Sequence, residues 1–527
     1  MMNSEIYLDA NATSPVLPAA IQAAQGALLA CFGNPSSSHA AGLRARALLD
    51  DARSRARRVL GAQEGRLLFT SGATEGIQTA VLSALCAVRA RRAAGQPCGD
   101  LLLYGATEHK AVPESLAHWN ALLGTGLTLQ ALPVDADGRH RLDELRALAP
   151  RAAFLCTMAA NNETGVVSDL DAIAAVLDET ESAALWMVDC VQALGKLALD
   201  LNKTRIDYAP FSGHKLYAPK GIGMLYVRAG APYTPLMCGG GQEGGQRSGT
   251  ENVAGIAALG AVLRALEEGS TFRSHAHMAA ARDRLAAALR TAFPGIVFNA
   301  PFEHALPTTL NFTVPGRSGK ALLDLFDAAG IRVSAGSACS AAKAAPSYVL
   351  LAMGLPEKRC ANAVRMSFGP LFDDAFIDAA CARIARCGQA LGAPPPAACP
   401  ATGSGVLTDS SAAAPAQPAA MPAIPIPCGI DDKGLARFLE RHPDALLVDV
   451  REACEHALGT PLLHGRAAYS LPLSRLPEHA GWLGRESRPL VFFCRSGKRS
   501  AQAAQLAQQL GHGNVRHLAG GLALLAS

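Results

Sequence analysis

Short apolar runs alternate with longer amphipathic stretches from Ile6 to Leu391. Apolar runs at 66–70, 100–104, 153–156 and 185–189 are typical of buried strands, and the amphipathic stretches 42–60 and 277–293 predict helices between or beyond them. Strands that alternate with helices predict a largely parallel sheet with helices on both faces. The pattern therefore indicates an α/β fold.

The pattern stops at Ala393, where proline and alanine dominate up to Pro427. Such a segment cannot bury enough apolar surface to fold alone, and as a flexible tether it would span roughly 30 Å. Beyond it, the apolar runs 446–449 and 489–493 and a helical stretch at 500–510 predict a second, smaller α/β domain. We therefore expect domains at 1–392 and 428–527, joined by a linker at 393–427.

Composition excludes several kinds of function. The 527-residue chain has a net charge of only +4 and no long basic run, so we expect no direct nucleic-acid binding. No apolar stretch is long enough to cross a bilayer, and the first residues lack the features of a signal peptide. The 14 cysteines are scattered, without C-x-x-C pairs or Cys/His clusters. This favours reduced thiols in the cytoplasm, no membrane association and no metal site.

A lysine in a glycine-containing turn is the first candidate catalytic group. Lys215 ends the motif Ser212-Gly-His-Lys215, which follows the β-like run 208–211. A lysine amine at such a position can act on carbonyl compounds, including pyridoxal phosphate (PLP). Asp189 ends another strand, where its carboxylate could pair with a pyridinium nitrogen.

Two further motifs suit the same cofactor. The turn at 70–75 is rich in small and hydroxyl residues and could hold a phosphate at a helix N-terminus. His109 follows another strand and could stack on an aromatic ring. Singly, Thr74 could be a helix cap, Asp189 a capping acid and His109 a core residue. The set together favours a PLP site.

A series of motifs follows in order along the first 369 residues: Tyr7-Leu-Asp9, Phe32-Gly-Asn-Pro35, Thr70-Ser-Gly-Ala-Thr-Glu75, Glu108-His-Lys110, Asn161-Asn-Glu163, Val188-Asp189, Ser212-Gly-His-Lys215, Arg247-Ser-Gly-Thr250 and Gly336-Ser-Ala-Cys339. With these motifs the chain resembles the PLP-dependent cysteine desulfurases of the NifS/IscS type, which have the fold type I aminotransferase architecture. The resemblance implies a large parallel-rich sheet domain followed by a smaller α/β domain.

The resemblance also implies roles for individual residues. Lys215 would hold PLP and shuttle the α-proton of the substrate, with Asp189 on the ring nitrogen and His109 stacked on the ring. The other implied contacts are Asn162 and Gln192 near the ring oxygen, Ala73, Thr74, Ser212 and His214 at the phosphate, Thr250 from a neighbouring subunit of a homodimer, and Arg365 with Asn162 at the substrate carboxylate. Arginine suits that last task because its planar guanidinium can bind a carboxylate in a bidentate manner.

By the same resemblance, Cys339 would take sulfur from L-cysteine as a persulfide, and L-alanine would be released. The small residues of Ser334-Ala-Gly-Ser-Ala-Cys339-Ser-Ala suit a mobile loop. A buried apolar thiol is the alternative reading of any single cysteine. Cys190, next to Asp189, departs from the usual alanine and could place an additional thiol near the cofactor.

A second thiol opens a basic loop, Cys494-Arg-Ser-Gly-Lys-Arg-Ser500, between a strand and a helix. Its amides, the helix N-terminus and the cations Arg495, Lys498 and Arg499 would favour a thiolate or a bound anion. Ser496 and Gly497 complete the loop. A cysteine beside a solvated basic turn is the alternative. Cysteine phosphatases place five residues between Cys and Arg, whereas four separate Cys494 from Arg499.

This domain resembles a rhodanese, also through Leu447-Val-Asp-Val-Arg-Glu452 and His517-Leu-Ala-Gly-Gly-Leu522. By that resemblance Asp449 and Arg451 would support the loop. The combined expectation is a desulfurase that passes sulfur from Cys339 to Cys494 and on to a sulfur-acceptor protein, such as an iron–sulfur scaffold or a thiolation protein. Selenocysteine lyase activity, and a second domain that only docks acceptor proteins, remain alternatives.

Overall fold

The computed structural model describes residues 5–336, 345–392 and 428–525. Cys339 and the expected linker at 393–427 therefore lie outside the described residues. The chain divides into two compact units, one of residues 1–323 with 331–381 and one of residues 324–330 with 382–527. The boundaries at 392 and 428 stay predictions.

The strands of residues 5–392 belong to three sheets. They are β1 (Ile6–Tyr7), β2 (Arg66–Thr70), β3 (Leu101–Gly105), β4 (Thr128–Leu132), β5 (Ala152–Met158), β6 (Leu185–Asp189), β7 (Tyr208–Ser212), β8 (Gly223–Val227), β9 (Val297–Phe298), β10 (Thr309–Thr313), β11 (Ile331–Arg332), β12 (Ser334–Ala335) and β13 (Val364–Ser367). The largest sheet has the order β2-β8-β7-β6-β5-β3-β4. Strand β8 runs opposite to the other six strands of this sheet.

The helices of the same residues are α1 (Pro18–Ala30), α2 (Ala40–Val59), α3 (Ala73–Ala93), α4 (Ala111–Leu123), α5 (Leu142–Leu148), α6 (Leu170–Glu179), α7 (Val253–Glu268), α8 (His275–Ala292), α9 (Gly319–Ala328), α10 (Tyr348–Ala352), α11 (Glu357–Ala361) and α12 (Asp374–Leu391). The strand β5 is buried along its whole length, as expected of a strand with helices on both faces. A smaller antiparallel sheet has the order β12-β13-β10-β9, and β1 pairs with β11.

Alternate side chains of the large sheet enter separate cores. Leu103 and Trp186 belong to one apolar cluster, whereas Leu102 and Met187 belong to another. This alternation follows from the two-residue repeat of a strand. The predicted parallel-rich α/β fold is confirmed, and in such a sheet the loops at the carboxyl ends of the strands form the binding crevice.

The second unit contains a five-stranded parallel sheet in the order β14-β18-β17-β15-β16. Its strands are β14 (Gly429–Ile430), β15 (Leu446–Asp449), β16 (Tyr469–Ser470), β17 (Leu490–Phe493) and β18 (Val515–Leu518). Its helices are α13 (Asp432–Arg441), α14 (Ala453–Ala457), α15 (Ala480–Leu483) and α16 (Lys498–Gln509). Across the described ranges, no helix combines the length and apolar character needed to span a bilayer.

Candidate functional site

A cavity of about 570 Å³ lies in the first unit, where strands of the large sheet end and α3 begins. It brings together most of the predicted site residues: Ala73, Thr74, His109, Asn162, Asp189, Gln192, Ser212, His214, Lys215 and Arg365. Thr250 is exposed and is not among the residues that line this cavity. Cys190 is completely buried, and burial raises the pKa of its thiol.

Lys215 lies in a short 3-10 turn that directly follows β7. Its Nζ donates hydrogen bonds to the main-chain oxygens of Asn11, at 2.5 Å, and Ala12, at 2.8 Å. These two residues also line the cavity, so the amine is held at its wall. A primary amine in this position can form a bond to a carbonyl compound.

Asp189 is the last residue of β6 and lies beside Met158, the last residue of β5, in the parallel ladder. Its Oδ1 accepts a hydrogen bond from the amide of Val191 at 2.9 Å. Burial raises the pKa of this carboxyl to about 6. A cation bound in the cavity would favour the ionised form of this carboxyl. A protonated ring nitrogen could be that cation.

His109 follows β3 and is held in one tautomer. Its Nδ1 accepts a hydrogen bond from the amide of Ala111 at 3.2 Å, so the proton of the neutral ring is on Nε2. Burial and, less strongly, the charge of Lys215 lower the pKa of His109. The cavity therefore presents a neutral, planar imidazole that can stack on an aromatic ring.

The N-terminus of α3 forms the side of the cavity that is suited to a phosphate. Ser71, Gly72, Ala73 and Thr74 line it there, and α3 is 21 residues long. The main chain is tightly packed at this point, because a Cβ on Gly223 would lie 2.7 Å from the Cα of Gly72. Free amides and the helix dipole make such an N-terminus an anion site.

Arg365 is 1% exposed and already has two partners. Its Nη2 donates to Oδ1 of Asp9 at 2.7 Å, and its Nη1 donates to the main-chain oxygen of Asn162 at 3.0 Å. Arg365 Nε and Asn162 Oδ1 are buried without a hydrogen-bond partner among the described residues. Buried polar atoms are almost always paired, so these two indicate a polar ligand.

These groups fit PLP. The cavity offers an amine, a buried carboxyl, a flat neutral ring and a helix N-terminus, and each matches a different part of the cofactor. The orphaned Nε of Arg365 adds a donor of the kind that a carboxylate can use.

Described residues lie on either side of Cys339 in the sequence. Upstream, Ser334 of β12 lies opposite Arg365 in the antiparallel ladder. Downstream, the Ser347 hydroxyl donates to Oε2 of Glu163 at 2.6 Å. Burial raises the pKa of Glu163 to about 7.

Sequence reasoning missed three residues of this region: Asp9, Asn11 and Lys196. Asp9 was noted only as part of a motif, yet it pairs with Arg365, which lies 356 residues away. Asn11 lines the cavity, and buried Lys196 donates to Asn11 and Gln192. A lysine in the mostly apolar stretch 193–199 was the available signal for Lys196.

The second candidate site is the loop between β17 and α16. Cys494 is fully buried, and its Sγ lies 3.4 Å from the Ser500 amide and 3.6 Å from the Ser500 hydroxyl. Gly497 has φ +84°, and a Cβ there would lie 2.7 Å from the amide nitrogen of Gly520. The loop therefore folds back around the sulfur, as an anion-binding loop does.

Charged pairs support this loop. Arg499 donates two hydrogen bonds to Glu455, at 2.5 and 2.8 Å, and the side chain of Glu455 is 1% exposed. Asp449, at the end of β15, forms a buried pair with Arg451. The sequence had not singled out Glu455.

Ser496 and Lys498 are exposed, and Arg495 is half-buried. The described residues contain no cluster suited to a metal ion.

A large parallel-rich sheet with a lysine and a carboxyl at its crevice defines the first unit as a fold type I PLP-dependent enzyme. The chain belongs to the aminotransferase class-V family, whose model matches residues 6–379. The model of the rhodanese-like domain matches residues 433–526, which confirms the second resemblance. The family is PLP-dependent.

Proteins named as cysteine desulfurases are similar to this chain. A cysteine desulfurase of Gluconacetobacter diazotrophicus is 40% identical over 375 residues, which cover 71% of this chain and 90% of that protein. The cysteine desulfurase NifS of Azotobacter vinelandii is 37% identical over 380 residues, with the same coverage. The solved structure of a NifS-like protein matches with a TM-score of 0.65 and 32% identity, over 74% of this chain and all of that one.

Proposed function

We propose that this chain is a cysteine desulfurase that converts L-cysteine to L-alanine and places the sulfur on Cys339 as a persulfide. The observation that carries the proposal is the convergence of Lys215, Asp189 and the orphaned guanidinium nitrogen of Arg365 on one cavity. The names and similarity of the class V relatives support the same activity.

The proposed cofactor contacts are those that the family resemblance implies, and these residues line one cavity. Lys215 would hold PLP, Asp189 would pair with its ring nitrogen, and His109 would cover one face of the ring. The other proposed contacts are Asn162 and Gln192 at the ring oxygen, and Ala73, Thr74, Ser212 and His214 at the phosphate. When bound, PLP supplies an electron sink for the carbon skeleton of the substrate.

Substrate binding is proposed for Arg365 and Asn162. The Nε of Arg365 is the guanidinium nitrogen without a partner among the described residues, and it is buried in the same region as Asn162 Oδ1. A carboxylate that accepts from Arg365 would satisfy that nitrogen and fix the amino acid relative to Lys215. Lys215 would then carry the α-proton.

Sulfur transfer would occur at Cys339. Its thiolate attacks the sulfur of the bound substrate, so that a sulfur–sulfur bond forms and the carbon–sulfur bond breaks. The electron pair of the broken bond stays with the carbon, which takes a proton and leaves as L-alanine. No external oxidant is needed for this step.

The rhodanese-like domain would receive the sulfur next. The Cys494 thiolate attacks the outer sulfur of the Cys339 persulfide, and Cys339 leaves as a thiolate. The Ser500 amide donates a hydrogen bond to Cys494 Sγ at 3.4 Å and would stabilise its anionic form. The final acceptor would be a protein such as an iron–sulfur scaffold or a thiolation protein.

Two further properties belong to the proposal. A homodimer would allow Thr250, which is exposed in this subunit, to reach the phosphate in a neighbouring one. A reducing cytoplasm fits the cysteines of the described residues, which are free thiols.

The test uses the full chain with added PLP and L-cysteine. We expect a visible absorbance band of lysine-bound PLP and release of alanine, and both should be lost in Lys215→Ala. Lys203→Ala is the control, since the Lys203 side chain is 83% exposed and pairs with Asp200. A Lys215→Ala variant that kept the band and released alanine would contradict the proposal.

A further inference from the structure

Lys196 is a buried lysine for which the proposed chemistry has no role. It is 6% exposed and follows Gln192 by four residues in a stretch of turns. Its Nζ donates to Gln192 Oε1 at 2.7 Å and to Asn11 Oδ1 at 3.2 Å. Lysine is almost never buried without a partner, so the two amide oxygens account for its position.

The surrounding hydrogen bonds fix the orientation of both amides. Asn11 Nδ2 faces the main-chain oxygen of Asn162 at 3.2 Å, and Gln192 Nε2 faces the main-chain oxygen of Asn11 at 3.2 Å. A main-chain oxygen can only accept, so each side-chain nitrogen must face it. Both amide oxygens are therefore directed to Lys196, which matches a donor at that position.

This network reaches the cavity at two points. Gln192 lines the cavity, and its Nε2 carries a second N–H besides the one used by Asn11. The Asn11 main-chain oxygen also accepts from Lys215 Nζ. The buried Lys196 amine thus holds Gln192, which is proposed to contact the ring oxygen. It also holds Asn11, whose carbonyl accepts from Lys215.

We propose that Lys196 is a positioning residue for the cofactor, which holds the Gln192 amide with an N–H toward the ring oxygen and keeps the Asn11 carbonyl beside Lys215. The inference rests on the proposed binding of PLP in this cavity. Burial first, and then the charges of Lys215 and Arg365, lower the pKa of Lys196 to about 7.

The test compares Lys196→Met with Lys203→Met, in which an exposed lysine is shortened in the same way. Apoprotein is titrated with PLP, and the visible absorbance of the loaded protein is followed against pH. We expect the Kd for PLP to rise about 3- to 10-fold in Lys196→Met, because one hydrogen bond to Gln192 is lost. We also expect the absorbance midpoint to move about 0.5 to 1 unit to higher pH, because a ring oxygen with a weaker donor holds its proton more tightly.

A double variant separates positioning from a general effect on folding. In a Gln192→Met background, Lys196→Met should shift the absorbance midpoint by less than about 0.3 unit, because the amide through which it acts is absent. Equal midpoint shifts in the two backgrounds would overturn the inference. Lys196→Gln keeps an N–H donor and should hold the midpoint near that of the wild type, which decides the matter if Lys196→Met does not fold.

The outcomes distinguish this inference from the proposed function. If the wild-type chain forms no visible band with PLP, the proposed function fails and the inference fails with it. If the wild type forms the band while Lys196→Met leaves both the Kd and the midpoint unchanged, only the inference is overturned.

Discussion

At the scale of single residues, burial determines the protonation of the groups around the cavity of the first unit. It raises the pKa of Asp189 to about 6 and lowers the pKa of His214 to about 4. The pKa of His109 is lowered as well. Near neutral pH the cavity thus offers neutral histidines and a carboxyl that ionises readily, a combination suited to an aromatic cation.

This protonation state predicts a pH dependence of cofactor binding. Below about pH 6 the buried Asp189 carboxyl takes up a proton, and it then no longer offers a negative charge to the ring nitrogen. PLP affinity of the apoprotein should therefore fall as the pH drops through 6 and level off above it. We expect Asp189→Asn to bind PLP with lower affinity and to lack this inflection, as measured by PLP titration at pH 5 to 8. If Asp189→Asn showed the same inflection of PLP affinity, the inflection would belong to another titrating group.

At the scale of secondary-structure elements, the hydrophobic pattern predicted much of what the structure contains. The strands 66–70, 185–189 and 446–449 have the predicted bounds, because apolar runs that end in a polar residue are clear signals. The helix predicted at 42–60 begins at Ala40, since the His39 side chain caps it by accepting from the Gly42 amide. A histidine cap is not a common helix-start signal.

Contacts between distant residues were not predictable from local patterns. Asp9 meets Arg365, and Glu455 meets Arg499, across 356 and 44 residues respectively. No local sequence pattern indicates the partner of Asp9 or of Glu455, since each pairing depends on how the strands are ordered in the sheet. The positions of Lys215 and Asp189 at strand ends were visible in the sequence, whereas the network of Lys196 was not.

The loop between β17 and α16 gives a prediction about Glu455. Glu455→Gln removes the charge that holds Arg499 and should lower the rate at which Cys494 takes up sulfur by about 10-fold, since the loop loses its fixed geometry. Isotopic labelling of the Cys494 persulfide measures the rate. Glu478→Gln, which removes an exposed carboxylate that pairs with Arg475, is the control and should keep the wild-type rate. Equal rates in wild type and Glu455→Gln would show that the pair has no influence on the loop.

Gly497 gives a prediction about stability. Both Gly497 and Gly511 have a left-handed φ, +84° and +92°, but a Cβ meets a neighbouring main chain only at Gly497. Gly511→Ala should cost about 1 kcal/mol from backbone strain, and Gly497→Ala about 2–4 kcal/mol from strain plus the clash. Hydrogen exchange of β17 and α16 in the full chain measures the difference. Equal costs would mean that the loop can move away from Gly520.

At the scale of the whole chain, the two thiols to which the proposal assigns sulfur transfer, Cys339 and Cys494, occur in one polypeptide. In the proposed function Cys339 acts on a substrate bound in the first unit, whereas Cys494 lies in a loop where its sulfur accepts a hydrogen bond from the Ser500 amide. A covalent connection can raise the effective concentration of one site near another to about millimolar. The fusion therefore favours transfer of sulfur within the molecule.

Transfer within the molecule predicts that loading of Cys494 does not depend on protein concentration. In a single turnover with L-cysteine, the rate of persulfide formation on Cys494 should stay constant when the protein is diluted about 100-fold. A mixture of Cys339→Ala and Cys494→Ala chains must transfer between chains, and its rate should fall with dilution. A wild-type rate that fell in proportion would indicate transfer between separate molecules.

The most direct measurement locates the sulfur itself. Isotopically labelled L-cysteine is added to the PLP-loaded chain, and persulfides are trapped and assigned to individual cysteines by peptide mass spectrometry. We predict label on Cys339 and Cys494 in the wild type, on Cys339 alone in Cys494→Ala, and on neither position in Cys339→Ala. Equal labelling of Cys494 in wild type and Cys339→Ala would contradict the path from the first thiol to the second.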